Sequence, residues 1–548
     1  MLDHGDFACR LGQTVFVKVG TNSTPLELVV TLSGSNFPAR PIAQKKPPLM
    51  PEESFALIQR ELPAGDYTLS VRLVDSADVV LRQATRSFKK PYGGPPLVGI
   101  DENNALCVEG KPFFPVMSFG LHSRSIKPWL AANRINTLMS VGFGAPNYRI
   151  PAWSSFLNTA GRAGTRVVGP LRGHYWPHNG YKKIMEANEL GNFDPNTIPE
   201  PNGPGTVWYS GPDKKYYHFR QLDKDKIADY VNAAKEHPGL LMWAWADEPE
   251  LGGRTSGIIP TEIRRWTDLC HQLDPQHPHL VNFGGYMFTG SEKRTHDHEV
   301  AKSYSYLFDD QPFKAMGQAK PFPVKTLVAD VLCFDYYPYE YRTRPGWEFI
   351  TLEDYAQAVD NLRDWNKNLI PTMACVETCD IRSKPSFPWT PAITARQLRN
   401  LCWINVVHGI KGIVWFHYFE PTPAENFREM SRFVEDTLAL TPLILGPAYQ
   451  GRVVTTGGGE NFRMDAMARK TPQEFGLFVA GVRKGHDFAR PEEETPEKVR
   501  FTVEGLGNCQ LQVYGEGRSI LCKDGVFEDL FRSFDARIYR AMLGATHP

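Results

Sequence analysis

Leu240-Leu241-Met242-Trp243-Ala244-Trp245-Ala246 runs directly into Asp247-Glu248-Pro249-Glu250. The apolar run carries no charge and no alternation, the pattern of a parallel strand covered on both faces. Upstream, Ile227, Tyr230, Val231 and Ala234 recur at helical spacing, and His237-Pro238-Gly239 stops that helix. Helix, breaker, buried strand and acid pair make an α/β unit. Such a unit delivers carboxylates to the carboxyl end of a strand, where α/β barrels carry their chemistry. Taken alone, Asp247-Glu248 reads more simply as a helix-capping pair in a βα loop, so the segments around it decide.

Working outward, the same alternation of strand and helix extends over residues 96–445. A lead-in hairpin, Ala105-Leu106-Cys107-Val108 turning through Glu109-Gly110-Lys111, precedes a first strand at Val116–Phe119. Further strands are expected at Thr137–Val141, Thr165–Val168, Leu240–Ala246, His279–Asn282, Val331–Phe334, Thr372–Val376 and Ile410–Phe416. Eight such units predict a (β/α)₈ barrel with insertions, the longest being the Gly-, Pro- and aromatic-rich stretch from His174 to Tyr217. Thr351 with Asp354 predicts a capping box, with Leu352, Tyr355, Val359 and Leu362 as the buried face. Thr390 followed by Pro391 predicts the start of a helix that closes at Gly409.

On either side the pattern is β-type. Residues 1–95 contain short strands such as Val15–Val19, Leu26–Val30 and Tyr67–Leu73 separated by turn clusters, as in an immunoglobulin-like antiparallel β-sandwich. Residues 446–548 return to strands and read as a second antiparallel β-domain of the same kind. The chain of 548 residues is therefore expected to be multidomain. Lys plus Arg and Asp plus Glu number 61 each, so there is no basic field for nucleic acid and no polybasic membrane patch. No apolar run reaches the roughly 20 residues that span a bilayer. The nine cysteines are odd in number and irregularly spaced, which argues against a disulfide scaffold. Met1-Leu2-Asp3-His4 leads into polar strand-like sequence with no export pattern. That leaves a cytoplasmic protein, or a secreted or periplasmic one whose signal peptide has been removed.

Three other strand ends join Asp247-Glu248. The sixth barrel strand delivers Asp335-Tyr336-Tyr337-Pro338-Tyr339, the seventh Glu377, and the eighth carries Trp415 and continues to His417. A Glu closing strand four, a Glu closing strand seven, a Tyr after strand six and a Trp on strand eight resemble the clan A, or four-over-seven, glycoside hydrolases. The resemblance spans the barrel segment. It implies a retaining β-glycosidase in which Glu248 is the acid/base, Glu377 the nucleophile, Tyr337 a hydrogen-bond donor to that nucleophile, and Trp415 a stacking platform. It implies a raised pKa for Glu248, no cofactor and a carbohydrate partner. One departure stands out: the clan carries Asn immediately before its acid/base, and this chain carries Asp247.

Each assignment has a structural alternative. Trp415 is a sugar platform or barrel-core filler, and Tyr336 takes the place of Tyr337 if the register slips by one. Asn282 and Asp335 bind sugar hydroxyls or make turns. Arg172, His174 and His417 contact sugar or form structural ion pairs. Trp176 lines an outer subsite or packs its loop. Thr295-His296-Asp297-His298 lacks the spacing of a metal site and reads as a solvated loop. The competing class is a non-catalytic carbohydrate-binding protein on a degenerate glycosidase barrel. A metal-dependent hydrolase is a third reading.

Overall fold

The computed structural model describes residues 9–19, 25–35, 37–118, 123–139, 150–170, 207–210, 216–219, 224–247, 260–285, 328–341, 350–366, 368–379, 393–416, 422–485 and 494–543. At its centre eight strands run parallel: β1 Val116–Ser118, β2 Thr137–Met139, β3 Arg166–Pro170, β4 Leu240–Asp247, β5 His279–Gly284, β6 Val331–Asp335, β7 Thr372–Glu377 and β8 Ile413–Phe416. Their order is β1-β8-β7-β6-β5-β4-β3-β2. The Asn136 backbone amide donates to the Val116 carbonyl at 3.0 Å, and the Val116 amide donates to Asn136 Oδ1 at 2.8 Å. These bonds stitch β1 to the segment entering β2, and the sheet is a near-closed barrel.

Strand residues divide by parity into two cores. Met117, Leu280, Cys333, Met373, Cys375 and Val414 form one cluster that includes no helix residue among the described residues, which is the barrel interior. Their alternates, among them Trp243, Val281, Phe334, Val376 and Trp415, pack with helix residues in the outer layer. Burial on both faces explains why these strands lack polar alternation. The lead-in hairpin, Leu106–Val108 with Lys111–Pro112, pairs with Val98–Ile100 and sends Val98, Ile100, Leu106 and Val108 into the interior cluster. Beside it, Asn104 donates through its side-chain amide to the carbonyl of Asn368, which precedes β7. The hairpin thus plugs the amino-terminal mouth, and chemistry is left to the carboxyl end.

The described helices are α1 Ser123–Ala131, α2 Ile150–Arg162, α3 Lys224–Asn232, α4 Pro260–Leu273, α5 Pro338–Tyr341, α6 Leu352–Trp365, α7 Ala395–Val407 and α8 Ala424–Ile444. The Thr351–Asp354 capping box is present at α6, whose Leu352, Tyr355, Val359 and Leu362 are buried as the spacing predicts. The helix expected from Thr390 begins later. Its cap is Thr394, reciprocated by Gln397, and Thr390 and Pro391 lie outside the described residues. Part of the long third loop is ordered as an antiparallel pair, Val207–Ser210 with Tyr216–Phe219.

The amino-terminal strands form a two-stranded and a four-stranded antiparallel sheet, whose facing residues Val15, Val17, Phe55 and Leu57 share one core with Leu28, Val30, Leu69 and Val71. The carboxyl-terminal strands form antiparallel sheets of five and three strands over another core. The five-stranded sheet docks on α7: Trp403 stacks on Phe478 at 5.9 Å, and the Asn400 amide donates to the Gly481 carbonyl at 2.9 Å. No described helix is long and apolar enough to cross a membrane.

Candidate active site

Glu377 is the last residue of β7, and only 2% of its surface is exposed. It shares parity with Met373 and Cys375, so it stands over the barrel interior. Its carboxylate is held from the neighbouring strand end. The backbone amide of Tyr339 donates to Oε1 at 2.8 Å, and that of Glu340 donates to Oε2 at 3.0 Å. Both amides belong to the first turn of α5, where helix N–H groups have no intrahelical partner. Pro338 opens that turn because its fixed φ suits the first helical position and it has no N–H to satisfy. Two amide donors fix the orientation of the carboxylate.

Tyr337 has the same parity as Cys333 and joins the interior cluster. Its ring centroid lies 4.8 Å from that of Phe416, the last residue of β8. Lateral neighbours in the parallel sheet face the same side: Glu377 pairs with Phe416, Cys375 with Asp335, and Cys333 with Asn282. Asn282 is buried over the interior, where Cys375 Sγ donates to its Oδ1 at 3.9 Å. The β4 backbone carries a one-residue irregularity between Ala244 and Asp247, after which Asp247 is level with Asn282. The carboxyl mouth therefore brings together Glu377, Tyr337, Asp335, Asn282 and Phe416, with Asp247 at the matching height of β4.

Two expected site residues face the other way. Trp415 pairs with Val376 on the outer face, is fully buried, and donates its indole N–H to the Arg134 carbonyl at 2.9 Å. Its ring meets Phe433 of α8 edge-on at 5.8 Å, so neither face is open to a sugar. Tyr336 is likewise buried outward, 5.3 Å from Tyr355 of α6. Gly285 makes room for it, since a Cβ there would lie 2.3 Å from the Tyr336 Cβ. The Trp415 and Tyr336 side chains, expected from the sequence to bind substrate, instead pack into the helix layer, away from the barrel mouth. Glu248, Arg172, His174, Trp176 and His417 lie outside the described residues.

Sequence reading missed Phe416 and the two amides on Glu377. The four-residue strand Ile-Val-Trp-Phe is apolar throughout, so only its register with β7 separates Trp415 from Phe416. Among the described residues, no group of three or more His, Cys, Asp or Glu side chains is arranged to hold a metal ion.

No family model and no curated protein matches the chain. Similar solved structures include a β-galactosidase from G. stearothermophilus, at 11% identity and TM-score 0.46, covering 78% of this chain and 98% of that one. A cycloisomaltooligosaccharide glucanotransferase from Paenibacillus sp. aligns at 8% identity and TM-score 0.44, covering 99% of both chains. The Bacteroides uniformis β-glucuronidase aligns at 10% identity and TM-score 0.33, covering 97% of this chain and 61% of that one. At these TM-scores the likenesses assign neither substrate nor mechanism; strand order and register carry the fold.

Proposed function

We propose that this protein is a retaining β-glycoside hydrolase of the clan A type, acting on an oligo- or polysaccharide. The observation that carries the reading is Glu377: a buried carboxylate at the carboxyl end of β7, over the barrel interior and oriented by the Tyr339 and Glu340 amides. Residues 96–445 are the catalytic barrel, 1–95 an immunoglobulin-like β-sandwich and 446–548 a C-terminal β-domain.

In this reading Glu377 attacks the anomeric carbon while Glu248, the residue after β4, protonates the leaving oxygen. Glu248 then takes a proton from the water that hydrolyses the glycosyl–Glu377 ester. The two carboxyl groups must lie about 5–5.5 Å apart for that double displacement. An amide-bonded Glu377 suits the nucleophile, because the two main-chain donors hold its carboxylate in one orientation over the barrel interior. Tyr337 and Phe416 form an aromatic wall beside it; the hydrogen bond from the Tyr337 hydroxyl to the nucleophile expected from the sequence is not made among the described residues. Asn282, Asp335 and Asp247 meet sugar hydroxyls, and Arg172, His174, Trp176 and His417 extend the subsites.

A second reading follows from the same hydrogen bonds. With both oxygens tied to α5, Glu377 also serves as a clamp on the loop after β6, which suits a carbohydrate-binding barrel without turnover. The Glu248→Ala variant separates the two. On an aryl β-glycoside with an activated leaving group, azide should restore its turnover and give the β-glycosyl azide. The α-azide would reverse the roles of acid and nucleophile. No turnover by wild type across a panel of aryl β-glycosides and β-glucans would leave the binding reading standing.

A further inference from the structure

All nine cysteines are thiols, and two pairs approach each other. In the barrel, Cys333 and Cys375 bring their sulfurs to 3.9 Å. They stand diagonally, however: Cys333 is level with Met373, and Cys375 with Asp335. Two residues of rise combined with the spacing between strands put their Cα atoms about 8 Å apart. Disulfides span about 4.4–6.8 Å between Cα atoms, so this pair cannot close without pulling β6 and β7 out of register.

Cys509 and Cys522 are placed differently. They are directly opposite in the antiparallel hairpin formed by Cys509–Val513 and Arg518–Cys522. Opposed residues of an antiparallel pair have Cα atoms about 4.5–5.5 Å apart, inside the disulfide window. Their side chains share the inward face, as the burial of Leu511, Val513 and Cys522 shows. Cys509 is also the one cysteine of the nine that is not buried. We propose that Cys509 and Cys522 form a reversible cross-strand disulfide by exchange with a low-molecular-weight disulfide such as oxidised glutathione.

The exchange runs in two steps. Cys509, within reach of solvent, loses its proton and attacks one glutathione sulfur; the glutathione S–S bond breaks and a first glutathione thiolate departs. Cys522 then loses its proton and attacks the Cys509 sulfur of the mixed disulfide, expelling the second glutathione. The protein is oxidised by two electrons, and the two glutathiones leave reduced, carrying the two thiol protons. Burial pushes the Cys522 thiol up to about 12, which makes it the resolving group and makes closure faster in alkaline solution. The staple fastens Arg518–Cys522, the edge strand of the five-stranded sheet, where an unprotected edge invites fraying and intermolecular pairing.

The test incubates the full chain with oxidised glutathione and counts thiols in denaturant. The expected result is a fall from nine thiols to seven, a peptide map linking Cys509 to Cys522, a higher unfolding midpoint, and reversal of all three by dithiothreitol. Cys509→Ser should keep every remaining thiol and show no rise in midpoint. Cys522→Ser should hold glutathione on Cys509 as a stable mixed disulfide. Wild type that keeps nine thiols, that stops at the mixed disulfide, or that links a different pair overturns the proposal.

Discussion

Glu377 Oε1 accepts a 2.8 Å hydrogen bond from the backbone amide of Tyr339, which fastens the acid of β7 to the first turn after β6. The Glu340 amide does the same for Oε2 at 3.0 Å. Charge and position at this site therefore depend on each other. Glu377→Gln keeps one acceptor but turns an NH₂ group toward the other amide. It should lower turnover on an aryl β-glycoside by roughly 10⁴-fold or more, and cost about 1–3 kcal/mol of stability in urea unfolding. Glu377→Ala leaves both buried amides without their acceptor and should cost about 2–5 kcal/mol. Full turnover by the Gln variant would reduce Glu377 to a loop clamp.

Trp415 and Phe416 are adjacent in sequence and face opposite sides of β8. Trp415 belongs to the helix layer through Arg134 and Phe433, whereas Phe416 meets Tyr337 over the interior. Trp415→Phe should leave KM within a factor of about two while lowering stability by about 1–3 kcal/mol, from the lost indole hydrogen bond and packing. Phe416→Ala should raise KM with a smaller effect on the unfolding midpoint. Steady-state kinetics paired with thermal melts on the two variants separates the roles. A raised KM for the Trp415 variant alone would restore Trp415 as the platform.

What was legible in the sequence follows from what each signal measures. Leu240–Asp247 and its seven companion strands declared themselves because burial on both faces strips a strand of polar residues, and the spacing between such runs leaves room for a helix. That same burial erases the period-2 alternation that tells inside from outside. Trp415 as platform or core filler, and Tyr336 or Tyr337 at the mouth, therefore stay open in the sequence; the pairing of Val376 with Trp415 and Glu377 with Phe416 sets the direction of the first, and the packing of Tyr336 on Tyr355 that of the second. Thr351–Asp354 was readable as a cap because its reciprocal side-chain and backbone bonds lie within four residues. The clamp on Glu377 was not, because its donors are main-chain amides that carry no residue signature.

The Thr394–Gln397 box offers a local test of the α7 boundary. Thr394 Oγ1 accepts from the Gln397 amide at 3.3 Å, and Gln397 Oε1 accepts from the Thr394 amide at 2.9 Å. Thr394→Ala should cost about 1 kcal/mol, while Thr394→Ser, which keeps the hydroxyl, should cost less than half of that. Chemical denaturation of the two variants checks the order. Equal losses would mean that the Thr394 methyl, and not its hydroxyl, holds the helix start.

His408 ties the barrel to the carboxyl-terminal sheet and gives that junction a pH dependence. Its Nδ1 lies 3.0 Å from Asp360 of α6, and its Nε2 lies 3.0 Å from Asp465 of strand Phe462–Lys470. Arg363 donates to the His408 carbonyl at 2.8 Å, and Arg463 pairs with Asp465 at 2.9 Å. Burial alone would push the imidazolium down, but the hydrogen bonds to the two carboxylates outweigh it and hold the group up at about 9. The unfolded imidazolium titrates near 6.5. A folded pKa above the unfolded one means that the extra stability is fully present below about pH 6.5 and is lost as pH rises through about 9. The shift corresponds to about 3 kcal/mol. His408→Gln should therefore be less stable than wild type at pH 6, with the gap closing steadily toward pH 10. Urea unfolding of both proteins across that range measures it, and a gap independent of pH would show that His408 contributes packing without charge.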